Sequence, residues 1–455
     1  MKEFKTIEKK ALAKITPTEK DRKRLQETIE SLKIIIQKEL TNRQINASME
    51  LVGSTAKDTY LRNSLDIDRF LVYPYDTSKD AMAKVTLSIG KKILKETEEC
   101  YAEHPYIRGI FNQYQVELVP CYKIEKASQK LSAVDRTPLH TRYVKKTITP
   151  KQKQEIRLFK QFLKGISCYG AEAQIQGFSG YLCELLIIKF DSFQNTVTNA
   201  TTWRPGKKIT IGNQTIPAFS EPLTFIDPVD PERNVASAVS LKTLNKFILS
   251  CKSYQKNPRI TFFFPNPVKP WDLKRIKQKI QRQKNYYLGI VFEKPDILDE
   301  NLYPQLRKTI RSIKSSSENY DFPVYDIRFH IDQASNKIYI IIKTDSESLP
   351  PTYTHMGPPK KLIKNTKDFL EKWKNHPDLV SAPFEKNERT YVTIKRKYRN
   401  LDYFLKETLP QLSKGKHLDE IIQKRFQVLC QQDLMTKDLA EFWTTYLDEK
   451  YSWER

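Results

Sequence analysis

Apolar positions along the chain follow a helical rhythm first and a strand rhythm next. Leu25, Ile29, Leu32 and Ile36 recur at spacings of four, three and four, which places them on one helical face. Thr16-Pro17-Thr18-Glu19 ahead of them reads as a capping box with proline at the first helical position, so the spacing predicts a helix over 16–40. Residues 47–52 read as a strand that Gly53-Ser54 breaks, with room for a short helical segment after it. An apolar-rich strand over 65–73 follows, then a helix over 77–98 that starts from Thr77 or Ser78. A strand over 114–119, stopped by Pro120, completes a small mixed α/β unit.

Residues 150–250 are mainly helical in pattern, with helices near 151–165, 178–192 and 234–251 and an extended stretch at 208–226. Asp227-Pro228-Val229-Asp230-Pro231 is a turn-rich break before the last helix. From 257 a further unit reads as strand 259–264, helix 271–282, strand 286–293, helix 299–315 and strands 323–330 and 335–343. That βαβαββ order can build a sheet covered by helices on one face. Helical patterns return at 361–375 and 401–446 around a short strand at 390–395. The expected division is therefore 1–149, 150–256 and 257–455.

Charge adds a partner to this picture. The chain carries 78 Lys and Arg against 54 Asp and Glu, a net +24. The excess is spread through both halves: residues 257–455 hold 36 basic and 26 acidic side chains, and a long polyanion such as nucleic acid suits that distribution. The stretch 252–284 holds ten Lys or Arg and one acid, with Phe262, Phe263, Phe264 and Trp271 among them. No apolar run is long enough to span a bilayer and no signal-peptide core opens the chain, so a cytoplasmic protein is expected. The six cysteines form no C-x-x-C pair and no zinc spacing, and several sit in apolar surroundings as buried thiols would. The six histidines are scattered, so a histidine-based metal site is not expected.

The segment that carries chemistry is Leu51-Val52-Gly53-Ser54-Thr55-Ala56-Lys57 followed by Ser64-Leu65-Asp66-Ile67-Asp68. Side chains two apart on a strand share a face, so Asp66 and Asp68 point together while Leu65 and Ile67 turn inward. Adjacent ionised carboxylates repel unless a cation sits between them, and Mg²⁺ prefers such oxygens while leaving positions for phosphates. Glu117, on the strand over 114–119, is the candidate third carboxylate of a two-metal site. Gly53 allows close approach of backbone to a phosphate, Ser54 can donate to it, and Lys57 lies one turn on. A Gly-Ser pair or an Asp-x-Asp alone is a weak signal; together, with strands on both sides, they are a strong one.

Gly-Ser followed by Asp-x-Asp resembles the nucleotidyltransferase superfamily of polymerase β. A narrower match runs through Tyr101-Ala102-Glu103-His104-Pro105-Tyr106, Asp135-Arg136-Thr137-Pro138-Leu139-His140, Tyr169-Gly170-Ala171-Glu172, Gly177-Phe178-Ser179-Gly180-Tyr181-Leu182-Cys183-Glu184 and Asp227-Pro228-Val229-Asp230-Pro231-Glu232-Arg233-Asn234. With Asn301-Leu302-Tyr303-Pro304 and His355-Met356-Gly357-Pro358-Pro359, these resemble the archaeal (class I) CCA-adding enzymes over nearly the whole chain. The resemblance implies an α+β multidomain protein. Its parts are an N-terminal polymerase-β-like nucleotidyltransferase domain, a helical central domain that selects the nucleotide, and a C-terminal α/β (RRM-like) region with appended helices that grips tRNA. It implies addition of C, C and A to the tRNA 3′ end from CTP and ATP without a template. It implies Ser54 and Lys57 on the triphosphate, Asp66, Asp68 and Glu117 as ligands of Mg²⁺, His140, Lys160 and Tyr169 on the incoming nucleotide, and Arg233 in base selection. A homodimer is left open.

Two positions depart from the family's habit. The third carboxylate is commonly Asp and here is Glu117; the phosphate-binding cation is often Arg and here is Lys57, a point charge in place of a two-pronged donor. Apart from the resemblance, His140 reads as a surface histidine after a proline turn, Lys160 as a solvated lysine, Tyr169 as core packing and Arg233 as a cap for the next helix. Glu172 and Glu184 are expected to support the pocket indirectly, and Lys395-Arg396-Lys397-Tyr398-Arg399 reads equally as a solvated loop or a contact to RNA phosphates. The alternatives are another RNA nucleotidyltransferase, such as a poly(A)-adding enzyme, and a catalytically silent RNA-binding protein.

Overall fold

A computed structural model describes every residue except Met1, Asn63, Ala102, Gln214 and Ile216. Asn63, beside the Ser64–Asp68 motif, and Ala102 of the 101–106 motif therefore lie outside the described residues. The chain forms two compact units, Met1–Pro267 with Lys450–Arg455, and Val268–Glu449.

The first unit opens with α1 (Lys2–Ile15) and α2 (Glu19–Asn42). The pattern read from the sequence begins at residue 16 and does not anticipate α1, although Phe4, Ile7, Ala11 and Ile15 stand at helical spacing among its lysines. The cap of α2 lies two residues later than expected: Thr18 caps, and its box partner is Asp21. Strands β1 (Ser48–Leu51), β2 (Asp66–Tyr73), β3 (Lys95–Tyr101), β4 (Pro105–Phe111) and β5 (Tyr114–Tyr122) form one sheet in the order β1-β2-β5-β4-β3. The short helix α3 (Gly53–Lys57) joins β1 to β2, and α4 (Lys79–Ile93) packs on the sheet.

Two expectations fail here for physical reasons. The helix expected over 77–98 ends at Ile93, because the charged stretch after it is an edge strand that buries only Cys100 and so carries no apolar alternation. The last strand continues through Pro120. Strand β4 pairs with β5 only as far as Leu118, so Pro120 lies beyond that ladder, where its missing amide proton costs little. Leu25, Leu32, Ile67, Leu71, Ile89, Val116 and Leu118 belong to the core between α2, α4 and the sheet.

Helices α5 (Thr137–Thr147), α6 (Pro150–Gly165), α7 (Gly180–Phe190), α8 (Phe193–Ala200) and α9 (Leu241–Lys256) build the helical part, with a short parallel pair β6 (Lys207–Ile209) and β7 (Leu223–Phe225). The last helix starts seven residues after the expected 234. Asn234 Oδ1 instead accepts from the amides of Phe225 and Ala236, which holds the chain in turns until Ser240 caps α9. Residues 259–264 are not a strand: Ile260–Phe262 is a 3₁₀ turn whose phenylalanines enter the helical core. Trp453 stacks on Phe262 at 5.6 Å, and Ser452 Oγ donates to the Gly165 carbonyl at 2.7 Å.

The second unit begins with α10 (Leu273–Gln283) rather than a strand. It continues through β8 (Tyr286–Glu293), α11 (Asp299–Asn319), β9 (Asp326–Asp332) and β10 (Lys337–Thr344), giving αβαββ in place of the expected βαβαββ. A smaller sheet, β11 (Thr352–Pro359) with β12 (Leu379–Lys386) and β13 (Arg389–Lys395), has order β11-β13-β12 and packs on α12 (Ile363–Lys374). The helical pattern at 401–446 resolves into α13 (Leu401–Thr408), α14 (Lys416–Lys424), β14 (Gln427–Leu429) and α15 (Ala440–Leu447), with β14 completing the order β14-β8-β10-β9. In the basic segment 395–399, Arg396 pairs with Asp321 at 2.7 Å and Tyr398 is buried, so two of its five residues are structural. Among the described residues no helix is long and apolar enough to cross a membrane, and all six cysteines are free, with only Cys430 exposed.

Candidate active site

Strand β2 pairs parallel to β5 with Asp68 opposite Glu117 and Asp66 opposite Gln115, so the pleat brings Asp66, Asp68 and Glu117 to one face. Gly53 opens α3 at φ +69°, and a Cβ there would sit 1.7 Å from Asp68 Oδ2, so only glycine lets the carboxylate lie against this backbone. Val52 N donates to the Asp68 carbonyl at 3.0 Å and fixes the two motifs against each other. Burial, then the charges of Glu117 and Asp66, push the Asp68 carboxyl up to about 7. Burial also raises Asp66, against the pull of Arg108 and Lys164. Glu117 is turned to Arg108, whose Nε and terminal nitrogen donate to Oε1 at 2.9 and 2.8 Å.

No three acidic, histidine or cysteine side chains among the described residues are drawn together as a metal-binding group as they stand. The donor chemistry nevertheless suits a hard divalent cation: the available atoms are carboxylate oxygens, and burial together with the charges of Glu117 and Asp66 makes the ionised Asp68 costly without a compensating cation.

Behind α3 lies a buried charge cluster that joins the sheet to the helices. Lys57 Nζ donates to Glu184 Oε2 at 2.6 Å, and Thr59 Oγ1 donates to Glu184 Oε1 at 2.6 Å. Lys160 Nζ donates to the same Oε1 at 3.3 Å and to the Thr59 carbonyl at 3.2 Å. The side chains of Lys57, Lys160 and Glu184 are 7%, 3% and 1% exposed. Lys160 is thus no solvated lysine: burial lowers its pKa although Glu184 opposes the shift. Burial would raise Glu184, but the charges of Lys57 and Lys160 and the hydrogen bonds of Lys57 and Thr59 outweigh it and hold the carboxyl low. Tyr169 lies in a bridge to Phe178, and a Cβ on Gly180 would meet its hydroxyl at 3.2 Å and Lys160 Nζ at 3.8 Å, so phenol and ammonium flank the same small residue.

A second cluster centres on Asp227, which is fully buried. His140 Nε2 approaches Asp227 Oδ2 at 2.9 Å, although the approach is poorly aligned for a hydrogen bond. Arg233 donates to the same oxygen at 3.0 Å, and the Tyr181 hydroxyl and the Val229 amide donate to Oδ1 at 3.0 and 2.9 Å. Burial would raise Asp227, but His140, the Val229 amide and Arg233 together bring it down to about 2. His140 is not a surface residue: it lies on α5, buried, with its ring stacked on Tyr181 at 4.1 Å, and burial lowers its pKa. Nor does Arg233 cap the next helix, which starts at Leu241; Asp227 fixes its guanidinium. The same turn receives Lys130 and Arg136 on Asp230 at 2.9 and 2.8 Å.

The residues singled out in the sequence therefore fall into three groups: carboxylates around Asp68, cations around Glu184, and His140 with Arg233 on Asp227. The hubs of the last two escape single-residue reading. Glu184 and Asp227 stand in conspicuous motifs, but their partners lie far away in sequence. A cleft of about 520 Å³ adjoins the Asp66 end of β2, lined by Lys14, Arg62, Ser64, Gln161, Lys164 and Phe264.

Comparison with known proteins follows the same order. Residues 31–140 match the nucleotidyltransferase domain family, 154–264 the second domain of tRNA nucleotidyltransferase, and 284–431 the C-terminal domain of the CCA-adding enzyme. A CCA-adding enzyme of Methanosarcina acetivorans is 36% identical over 92% of this chain and 92% of its own, and one of Thermoplasma volcanium is 36% identical over 90% of each. Among solved structures, a cytoplasmic RNA terminal U-transferase aligns at TM-score 0.45 and 14% identity, covering 59% of this chain and 100% of that one. With matched domains in sequence order and relatives of this identity over nearly its full length, the chain belongs to the CCA-adding enzyme family, the tRNA nucleotidyltransferases that add CCA to tRNA.

Proposed function

We propose that the protein completes and repairs the tRNA 3′ end from CTP and ATP without a nucleic-acid template, using Mg²⁺ held by Asp66, Asp68 and Glu117, and that it acts in the cytoplasm. The observation that carries this reading is the register of β2 on β5, which sets Asp68 against Glu117 with Asp66 on the same face and the Gly53 backbone against Asp68. When bound, Mg²⁺ supplies charge neutralisation on the triphosphate and lowers the pKa of the attacking hydroxyl. The RNA 3′ oxygen attacks the α-phosphorus, the bond from that phosphorus to the bridging oxygen breaks, and pyrophosphate leaves.

The chain's own groups bind and orient. Gly53 and Ser54 present backbone and hydroxyl donors to the triphosphate, and Lys57, Lys160 and Tyr169 hold its outer phosphates from the buried side. His140 contacts the nucleotide from its stack on Tyr181, and Arg233, fixed by Asp227, reads the base edge. Glu117 has to leave Arg108 to join the two aspartates.

The test supplies the protein with tRNA lacking its last three nucleotides and with CTP or ATP alone or together. The reading requires two C additions with CTP and one terminal A only after them. An enzyme that extends with ATP alone and does not stop would be a poly(A) polymerase. Retained tRNA binding without Mg²⁺-dependent incorporation would leave an RNA-binding protein.

A further inference from the structure

Glu184 accepts from both lysines assigned above to the triphosphate, and from Thr59 between them. The cluster is unbalanced, because one carboxylate faces two ammonium groups at a depth where each side chain is at most 7% exposed. A buried pair that served folding alone would match one charge with one; sharing one carboxylate between two ammonium groups at this depth is costly. The further charged and titratable groups around it are Asp68 from β2, Lys164 on α6, Tyr169, and Tyr181 and Cys183 on α7. Of these only Asp68 is a carboxylate, and it belongs to the acidic set. Two ammonium groups thus share the one carboxylate that bonds them, an arrangement that suits an anion beside them. Its ammonium groups come from different elements, Lys57 from α3 and Lys160 from α6, so their spacing has to be set by a third group.

From this geometry we infer that Glu184 is a positioning residue: it holds the Lys57 and Lys160 ammonium groups at the spacing that grips the β- and γ-phosphates of the incoming nucleotide. The inference rests on the proposed phosphate role of the two lysines. Thr59 completes the device, since its hydroxyl donates to Glu184 Oε1 while accepting from Lys160 at 3.1 Å, which ties carboxylate and ammonium together. Gly180, the first residue of α7, leaves room for the Tyr169 hydroxyl and the Lys160 ammonium. Without Glu184, two close ammonium groups in a dry site repel, and one of them loses either its position or its proton.

The experiment compares binding of CTP and CMP to the full chain in Mg²⁺ without tRNA, for the natural protein and for Glu184→Gln, Glu184→Asp, Thr59→Val and Lys57→Gln. CMP lacks the two phosphates in question, so the CTP-to-CMP affinity ratio reads the grip itself, and a general loosening of the fold lowers both affinities together. Glu184→Gln is expected to lower the ratio about tenfold, the size of one charge-assisted hydrogen bond. Glu184→Asp should recover part of that loss. Thr59→Val, which keeps every charge, should lower the ratio about threefold and keeps the test open if Glu184→Gln does not fold. An unchanged ratio in Glu184→Gln or Thr59→Val beside a collapsed ratio in Lys57→Gln overturns the role of Glu184. A ratio unchanged in all of them, Lys57→Gln included, overturns the phosphate role of the lysines on which it rests.

Discussion

Arg157 of α6 donates to the Asp58 carboxylate at 2.5 Å and to the Asp58 carbonyl at 2.7 Å, locking the residue that terminates α3 to the helix that carries Lys160. Asp58 sits in the left-handed region at φ +53°, and Arg22 of α2 donates to the same carboxylate oxygen at 2.5 Å. The Arg157 side chain is 1% exposed, so it cannot turn to water if the carboxylate is lost. Asp58→Asn keeps a residue that tolerates positive φ and removes only the charge. We expect it to cost about 2 kcal/mol in urea unfolding, less than the ~3–5 kcal/mol of a fully buried pair because Asp58 is itself 30% exposed. Unaltered stability together with full nucleotide incorporation would show that α3 is held without this contact.

The three carboxylates and Arg108 give a second prediction. Asp66→Ala and Asp68→Ala should abolish incorporation while tRNA affinity stays near that of the natural protein, because neither carboxylate is expected to touch the RNA body. Glu117→Asp should retain much of the activity, and Glu117→Gln should lose most of it. Arg108→Gln frees Glu117 from its ion pair, so the Mg²⁺ concentration for half-maximal rate should fall roughly threefold, the worth of a partly exposed ion pair. A rise in that concentration would mean that Arg108 serves the site rather than competing for Glu117.

Base choice should depend on Asp227 as much as on Arg233. Arg233→Ala is expected to lower the ratio of CTP to UTP incorporation while Mg²⁺ binding is unchanged. Asp227→Asn should reproduce that loss, since it removes the carboxylate that fixes the guanidinium. Selectivity retained in both variants would move base reading to other residues.

Asp227 also carries a pH dependence. Its carboxyl is depressed to about 2, so its contribution to stability is fully present above the unfolded value of about 3.9 and is lost as pH falls from there through 2. Denaturant titrations across that window should show a shallower acid limb for Asp227→Asn than for the natural protein. Parallel limbs would place the acid sensitivity elsewhere.

Helix α10 yields the prediction for tRNA. It buries Ile276 and Ile280 and exposes Lys274, Arg275, Lys277, Lys279 and Arg282. Affinity for tRNA should fall steeply with salt, and changing Lys277 and Lys279 to Gln should reduce the log–log slope by up to about 2, one for each phosphate that a lysine no longer neutralises. A slope identical to that of the natural protein would exclude these two lysines from the RNA surface.

How much of this was legible in the sequence divides along physical lines. The face shared by Asp66 and Asp68 follows from strand period alone, and Gly53 marks a break between strands whether or not its near-contact with Asp68 is seen. Helix α6 announces itself through its apolar stripe and Thr149 cap. Strand β3 stays hidden because an exposed edge strand has no alternation to read. Glu184 is expected from the sequence to support the pocket, but its partners and those of Asp227 do not show in local pattern, since other elements supply them: Lys57 and Lys160 for one, His140 and Tyr181 for the other. His140 looks like a surface residue in sequence because the groups it packs against, Tyr181 and Asp227, lie on distant segments.

The return of Lys450–Arg455 to the first unit bears on the order in which the protein is made. Trp453 and Ser452 fill their places against Phe262 and Gly165 only after the ribosome has synthesised all of Val268–Glu449. The helical core around Phe262 therefore waits, with an uncovered aromatic face, while 182 residues of the second unit emerge and fold. Nascent chains stalled before residue 450 should expose that face to proteases and chaperones, and emergence of residues 450–455 should cover it.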